Sequence, residues 1–283
     1  MPMNQRLVGK TYQQAEAFSL SAPGARAYGA STLGSDTPPI AAYADGALAP
    51  PMYGVAFSFG ALGAPILDPE LGVEMMRLVH GEQDMEFLQA ARAGDVLTST
   101  STIAAIHQKA SGEVLVIEIT SKNQHGEVVL RVKSGLFIRG PRKKGSADPQ
   151  ADAKKANEAA QWQELPRVLA EVVVVAADQS RRYAEASGDH NPIHLDEGVA
   201  QMAGLPSIIL HGLCTMAFVH DALVRKFGPD PLCVQRLAVR FLKPVLMGDR
   251  LTIDVRGRGK SLWLQVKNQL DVVVLTGAQV QIA

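Results

Sequence analysis

The sequence predicts an α+β protein in which one fold, an antiparallel sheet packed around a helix, occurs twice. The chain has 283 residues, which suits two domains of roughly 150 residues each. Landmarks repeat at one offset: Tyr28 and Tyr183 lie 155 residues apart, and the Gly94-Asp95 turn precedes Gly248-Asp249 by 154. In each copy an apolar segment precedes a series of strand-like runs, which is the order of a sheet that wraps a helix.

Composition indicates a folded protein of the cytoplasm. Lysine plus arginine number 28 and aspartate plus glutamate 28, so the formal net charge is zero, whereas a nucleic-acid protein would carry a basic excess. Cys214 and Cys233 form no CxxC pair, which suits a reducing compartment. The first residues lack the apolar stretch of a signal peptide, and the longest clean apolar run, residues 172–177, is too short for a membrane span. We therefore expect a cytoplasmic protein without nucleic-acid or membrane partners.

The chain divides into three segments. Residues 141–165 are rich in alanine, charged residues, proline and glycine, and they predict a linker. Residues 1–140 and 166–283 are then the two domains. Because a sheet wrapped around one helix is the hot-dog arrangement, the predicted fold is a double hot-dog.

Strand-like runs separated by turn residues close each copy. In the first copy they follow a segment rich in glycine, alanine, proline and methionine at residues 48–67, and they are residues 75–87, 96–107, 114–123 and 127–137. In the second copy they are residues 233–244, 250–256, 262–268 and 272–282.

The second copy begins with a β-branched strand at residues 169–177, after which Asp178 can cap a short helix that ends at Ala186. A longer apolar segment with helical spacing, residues 212–227, ends at Gly228-Pro229. It is the predicted central helix of this copy.

The segment before that helix carries groups suited to acid/base chemistry. Asn191 is a good N-cap, Pro192 suits the first helical position, and Gly204 suits the residue after a helix end. His194 then occupies the third helical position, where the helix dipole favours a neutral imidazole, and Asp189 just outside the terminus is favoured as a carboxylate. The sequence predicts that these two residues form an acid/base pair.

Structural roles compete with this interpretation. An aspartate in a turn is more often a capping residue, and a single histidine near a helix start is more often structural. A metal site at His190 and His194 is disfavoured, because Pro192 leaves His190 outside the helix and no third ligand has suitable spacing, so no metal is predicted. His211-Gly212 lets a ligand approach free backbone donors at the start of the long helix, or simply initiates it.

A longer pattern points to a known family. Tyr-x-x-x-Ser-Gly-Asp-x-Asn-Pro-Ile-His-x-Asp from residue 183, followed by Ala-Gly-Leu-x-x-x-Ile-Leu-His-Gly from residue 203, resembles the hydratase 2 motif of MaoC-like (R)-specific enoyl-CoA hydratases. The similarity continues through residues 240–245 and, in the first copy, through residues 80–83 and 109–112. The resemblance covers nearly the whole chain and implies the double hot-dog branch, with the catalytic residues in the second copy alone.

The first copy departs from the motif in the way that this branch implies. Its counterpart, residues 34–40, keeps an aspartate but has isoleucine or proline where His194 would fall, and Phe57-Ser58 stands in place of His211-Gly212. The resemblance implies that residues 48–67 instead open into an acyl-chain pocket. Ordinary helix packing explains the same small residues equally well.

The resemblance implies that water adds across the C2=C3 bond of a trans-2-enoyl-CoA thioester to give a 3-hydroxyacyl-CoA. Asp189 and His194 would hold the water, with the choice of base left open, and Gly212 would donate to the enolate oxygen. Asn191 would orient the pair or only cap the turn. No cofactor is expected, because coenzyme A is part of the substrate.

His211, Arg240 and Lys243 are the predicted substrate- or CoA-binding residues, although the two cations could equally be solvated charges at a strand edge. A branched or dicarboxylic substrate such as mesaconyl-CoA is an alternative, as are a hot-dog acyl-CoA thioesterase and a non-catalytic acyl-CoA-binding protein. Whether the chain also forms a homodimer is left open.

Overall fold

The helices and strands follow the predicted order in the computed structural model, which describes residues 2–140, 161–228 and 230–283. The helices are α1 Ala22–Ser31, α2 Gly54–Ile66, α3 Gln179–Ser187, α4 Glu197–Met202 and α5 Gly212–Phe227. The strands are β1 Thr11–Gln13, β2 Phe18–Ser19, β3 Leu78–Phe87, β4 Val96–Lys109, β5 Gly112–Lys122, β6 Val128–Arg139, β7 Arg167–Val174, β8 Val234–Phe241, β9 Arg250–Arg258, β10 Ser261–Lys267 and β11 Val273–Ile282.

One antiparallel sheet runs through both copies, in the order β1-β4-β5-β6-β3-β8-β11-β10-β9-β7, with β2 paired to β4. The copies join where β3 pairs with β8, in a register that sets Glu82 opposite Arg240 and Glu86 opposite Arg236. Each half of the sheet covers one long helix, α2 in the first copy and α5 in the second. This architecture confirms the predicted α+β double hot-dog fold.

Helix α5 lies within the core. Every residue from Leu213 to Val224 is buried, so the helix is held on all sides and its first residue, Gly212, has a fixed position. Although α5 has 16 residues, no helix among the described residues is both long and apolar enough to cross a membrane.

The landmarks of the repeat occupy equivalent places in the structure. Tyr28 and Tyr183 meet each other, with their hydroxyl oxygens 3.4 Å apart and both rings fully buried. In the Gly94-Asp95 and Gly248-Asp249 turns, the aspartate accepts a hydrogen bond from the backbone N–H three residues earlier, at 2.8 Å in both turns. The internal repeat read from the spacing is therefore a structural repeat.

Observed strand ends differ from the predicted ones by at most three residues. Asp178 precedes α3 as predicted, but its carboxylate accepts a hydrogen bond from the Arg182 side chain and does not cap the helix. Most of the predicted linker, residues 141–160, lies outside the described residues. Its last residues belong to the second copy, because Trp162 is buried with the Arg256 guanidinium 5.0 Å from its ring centroid.

The single helix predicted from Pro192 to Gly204 is wrong. Pro192–His194 forms only a 3-10 turn, in which the Asn191 side chain accepts a hydrogen bond from the N–H of Ile193. Asp196 then caps a separate helix, α4, by accepting from the N–H of Val199 at 2.9 Å. Two caps in succession break the segment, because each one fixes an extended residue before its own helical turn.

Candidate active site

Asp189 follows directly after helix α3. The helix ends at Gly188, which adopts the left-handed conformation (φ 79°) and returns its N–H to the carbonyl of Ala184 at 2.9 Å. Asp189 is half-buried, and its Oδ1 accepts a hydrogen bond of 3.2 Å from the N–H of Asn191. The helix end and this bond direct the carboxylate toward the next turn of the chain.

His194 is the last residue of the 3-10 turn and is 8% exposed. Its Nδ1–H donates to the carbonyl of Ile209 at 2.8 Å, so a neutral ring keeps its lone pair on Nε2. Burial lowers the pKa of His194, against smaller opposite effects of the Ile209 hydrogen bond and the Asp189 charge. The lowered pKa favours the predicted neutral ring, and its cause is burial and not a helix dipole, since no long helix starts here.

His211 contacts both His194 and Asp189. Its ring stacks on that of His194, with centroids 3.8 Å apart, and its Nε2–H donates to the backbone carbonyl of Asp189 at 2.9 Å. Burial, reinforced by the nearby His194, lowers the pKa of His211 to about 4. Only 1% of His211 is exposed, and its predicted contact with the substrate or coenzyme A stays a prediction.

The three side chains converge. One carboxylate oxygen of Asp189 and one ring nitrogen from each of His194 and His211 lie within 4.8 Å of one another. That separation lets one water molecule hydrogen-bond to the carboxylate and to a ring nitrogen together. The same separation would also suit three ligands of a metal ion, which the positions of these residues along the sequence did not suggest. The absence of a metal therefore stays a prediction.

Gly212 opens helix α5 beside this group. Among the described residues no acceptor pairs with its N–H, and the same holds for the next residue, Leu213. A side chain at Gly212 would put its Cβ 2.9 Å from the ring of Phe241, so only glycine fits. The site therefore has unpaired backbone donors at the positive end of a buried helix.

Asn191 and the predicted cations lie at the edge of the site. Asn191 is exposed, and its side chain caps the 3-10 turn, whereas its backbone N–H holds Asp189. Arg240 pairs with Glu82 at 2.9 Å, and both side chains are more than half exposed. Lys243 is exposed, and in the part of the chain that the structure describes its amino group has no ion-pair partner.

Sequence reasoning missed Ser180 of helix α3. Its hydroxyl donates to the backbone carbonyl of His194 at 2.7 Å, and its oxygen lies 3.5 Å from Nδ1 of His211. The residue thus links both histidines to α3. Its place one helical turn before Tyr183 of the motif was the available signal, and serine alone is too common to carry it.

Among its described residues, the first copy has no equivalent of the Asp189, His194 and His211 cluster. Helix α2 begins at Gly54, one turn before the position equivalent to Gly212, and Ser58 donates its hydroxyl to the carbonyl of Gly54. A cavity of about 10 Å³ lies beside Phe57 in the predicted acyl-chain segment, and its walls would have to separate to admit a chain. A larger groove of about 460 Å³ lies along β4 and β5 and contains no candidate residue. The candidate site is therefore located by its reactive side chains and not by the size of a cavity.

Comparisons with known proteins agree with this division. Residues 157–278 match the family described as MaoC like domain, and residues 36–132 match a FAS1-like dehydratase domain region. The chain is 32% identical over 214 residues to the peroxisomal multifunctional enzyme type 2 of Drosophila melanogaster, a match that covers 75% of this chain and 34% of that protein. The chain thus spans about a third of that relative's length.

Two further likenesses span most of both partners. The chain is 28% identical over 215 residues to a probable enoyl-CoA hydratase 2 of Dictyostelium discoideum, covering 72% of this chain and 70% of that protein. The crystal structure of a MaoC-like dehydratase from Phytophthora capsici shares the fold with a TM-score of 0.78 at 20% identity, over 100% of this chain and 98% of that one. The chain belongs to the MaoC-like dehydratase family.

Proposed function

We propose that the protein hydrates trans-2-enoyl-CoA thioesters to 3-hydroxyacyl-CoA. One observation carries the proposal: a carboxylate and a neutral imidazole lie within water-bridging distance of each other, beside unpaired backbone donors at the start of a buried helix. Hydration needs a held water, a proton for C2 and a donor for the enolate oxygen. The site supplies all three, and relatives named as enoyl-CoA hydratase 2 support the assignment.

The chemistry follows from the protonation states. His194 Nε2 accepts a proton from the bound water as the water oxygen bonds to C3, and the C2=C3 electron pair moves toward the thioester carbonyl. Gly212 N–H stabilises the enolate oxygen, a contribution on the order of 3 kcal/mol in comparable sites. The enolate then takes the proton from the His194 imidazolium at C2. Asp189 accepts the second hydrogen bond of the water and stabilises the transient imidazolium.

The remaining residues position these groups. His211 holds the backbone of Asp189 and the plane of His194, and Asn191 fixes the turn between them. We propose that Arg240 and Lys243 meet the phosphates of coenzyme A at the exposed edge, where Arg240 would exchange Glu82 for a phosphate.

Loss of the conjugated absorbance of a trans-2-enoyl-CoA measures the activity. Asp189→Asn and His194→Gln should each lower kcat by about 10² to 10⁴ with unchanged circular dichroism, because each removes one partner of the water. His190→Gln is the matched control, since His190 is exposed and next in sequence to Asp189. Full activity in Asp189→Asn or His194→Gln would refute the assignment.

Two more measurements define the reaction. Release of free thiol without loss of the double bond would make the protein a thioesterase, and metal analysis of active protein would reveal an ion held by the Asp189 cluster. A panel of enoyl-CoAs that differ in length, branching and carboxylation, mesaconyl-CoA included, would identify the acyl group.

We propose a cytoplasmic location, supported by two cysteines, Cys214 and Cys233, that are free and buried. The fly relative is named peroxisomal. Cell fractionation with antibodies to this protein separates the two compartments.

A further inference from the structure

A histidine of the first copy lines the site of the second. The ring of His80, on β3, lies edge-on to Phe241 with centroids 5.4 Å apart, and Phe241 packs against Gly212. The negative charge of Asp189 also acts on His80. His80 therefore borders the Gly212 side of the pocket, although it belongs to the copy that lacks the motif.

A bulge in β3 sets the direction of this side chain. Against β6, His80 pairs with Leu136 and Glu82 with Gly135, so Gly81 is an extra residue between two consecutive partners. Pairing of β3 with β8 begins only at Glu82. Bulges commonly re-aim a side chain next to an active site, and this one lies at the junction of the two copies.

Buried partners hold the His80 ring in one tautomer. Its Nε2–H donates to Oε1 of Gln83 at 2.9 Å, and the Ser134 hydroxyl donates to the same oxygen at 2.7 Å. Gln83 is 4% exposed and Ser134 is fully buried, so the acceptor oxygen is fixed. Burial lowers the pKa of His80, against smaller opposite effects of the Gln83 hydrogen bond, the Asp189 charge and a hydrogen bond to the Glu82 backbone. With Nε2–H given to Gln83, the neutral ring has its lone pair on Nδ1.

A ring nitrogen with a free lone pair can accept a hydrogen bond from an N–H or O–H group of a bound substrate. On the proposed function, the thioester carbonyl of the substrate lies at Gly212, beside Phe241. The N–H nearest to that carbonyl in any coenzyme A thioester is the cysteamine amide, two methylene groups from the sulfur. We propose that His80 accepts a hydrogen bond through Nδ1 from this amide and so binds the carrier arm of the substrate.

Two small thioesters of one enoyl acid test the contact. The S-(2-acetamidoethyl) thioester carries the amide N–H, and the S-(2-acetoxyethyl) thioester has an ester oxygen in its place. The wild-type protein should prefer the amide in kcat/KM by about tenfold, and His80→Leu should abolish that preference by losing activity on the amide alone. His80→Asn, which keeps an acceptor near the position of Nδ1, should retain most of the preference.

Controls separate the possible failures. His125→Leu removes an exposed imidazole from the turn between β5 and β6 and should leave both rates unchanged. If His80→Leu does not fold, His80→Phe replaces it as a ring without an acceptor. Equal losses on both thioesters, or a wild-type protein without preference, would overturn the His80 contact. A wild-type protein that hydrates no enoyl thioester, enoyl-CoA included, would instead overturn the proposed function.

Discussion

Three histidines lie near Asp189, and they differ in which ring nitrogen is hydrogen-bonded to the protein. His194 gives its Nδ1–H to a backbone carbonyl, whereas His211 and His80 give their Nε2–H to a carbonyl and to Gln83. The nitrogen left unprotonated therefore differs, being Nε2 in His194 and Nδ1 in the other two. His194 is 8% exposed and His211 only 1%, so a bound water has better access to His194, and we assign the proton transfer to it.

His211 should make the protein acid-labile. Its pKa in the folded state is about 4, below the usual value near 6.5, so the unfolded chain binds more protons between those two pH values. The free energy of unfolding should therefore fall as the pH drops from 7 to 4.5, with His211 contributing on the order of 2 kcal/mol of the loss. Urea titrations at both pH values measure the change.

In His211→Phe the pH dependence of stability should flatten, since the ring that resists protonation is gone. His125→Phe, at an exposed position, should keep the wild-type slope. Identical slopes for His211→Phe and the wild type would place the acid sensitivity elsewhere.

Gly212 should tolerate no side chain. In Gly212→Ala the backbone N–H persists, but the new Cβ would lie 2.9 Å from the ring of Phe241 and must displace it or the helix start. A shift of the donor by about 1 Å should lower kcat/KM by about 10². Steady-state kinetics with the enoyl-CoA panel measure the loss.

Shortening the opposing side chain tests the cause. The double variant Gly212→Ala, Phe241→Leu should be more active than Gly212→Ala alone, because the smaller residue can move aside. A double variant no better than Gly212→Ala would show that the steric explanation is wrong.

The sequence pointed to the proposed reacting residues more readily than to the supporting ones. Asp189, His194 and Gly212 lie in one motif, where spacing along the chain suffices to bring them together. The stacking of His211 on His194, and the approach of His80 from the other copy, depend on tertiary contacts that no local pattern encodes. The burial of His211 is the reason that we assign it the positioning of Asp189 and His194. That burial could not be predicted from its place next to a helix start.

At the scale of elements, the segment between α3 and α5 shows where sequence patterns fail to predict the bounds of helices. Asn191 and Asp196 are both good N-caps, and the sequence alone did not show that both would be used. The resulting 3-10 turn places His194 next to the carbonyl of Ile209, which fixes its tautomer. A continuous helix would instead have put the same ring at the positive end of a helix dipole, whereas here burial lowers its pKa.

A bidentate ion pair reinforces the pairing of β3 with β8. Arg236 donates through Nε at 2.9 Å and through a terminal nitrogen at 2.6 Å to the two oxygens of Asp84, with about a quarter of each side chain exposed. Because solvent screens such a pair only in part, its coupling energy should be about 1 kcal/mol.

A double-mutant cycle with Arg236→Gln and Asp84→Asn, followed by urea unfolding, measures this coupling. The pair formed by Lys133 and Glu118, which is more than half exposed on β6 and β5, serves as the comparison and should couple more weakly. Equal coupling in the two pairs would mean that partial burial adds nothing to the strength of the Arg236–Asp84 pair.

For the whole molecule, the repeat was readable from the sequence and the joining of the copies was not. An offset of 155 residues identifies two units of one fold, but strand order across copies depends on which edges remain unpaired in space. The structure pairs β3 with β8 and buries Met85 opposite Leu237 at that junction. His80 lies at the same junction, so the shared sheet positions a residue near the candidate site and also buries core residues.

The second copy alone should therefore be inactive, even though it carries the whole motif. Without β3, strand β8 would expose its backbone hydrogen-bonding groups and Leu237 to water, which favours aggregation. The pocket would also lose His80. Residues 166–283 expressed alone should aggregate or show no hydratase activity, and co-refolding with residues 1–140 should restore it.

Cutting the chain between the copies should have little effect, because the pairing of β3 with β8 joins them directly. A protease site placed between residues 141 and 160 leaves every strand of the β3–β8 junction intact. After cleavage both fragments should elute together in size-exclusion chromatography and keep nearly full kcat/KM. If the fragments separate and the second one stays active, the two copies are independent domains, and the junction has no part in catalysis.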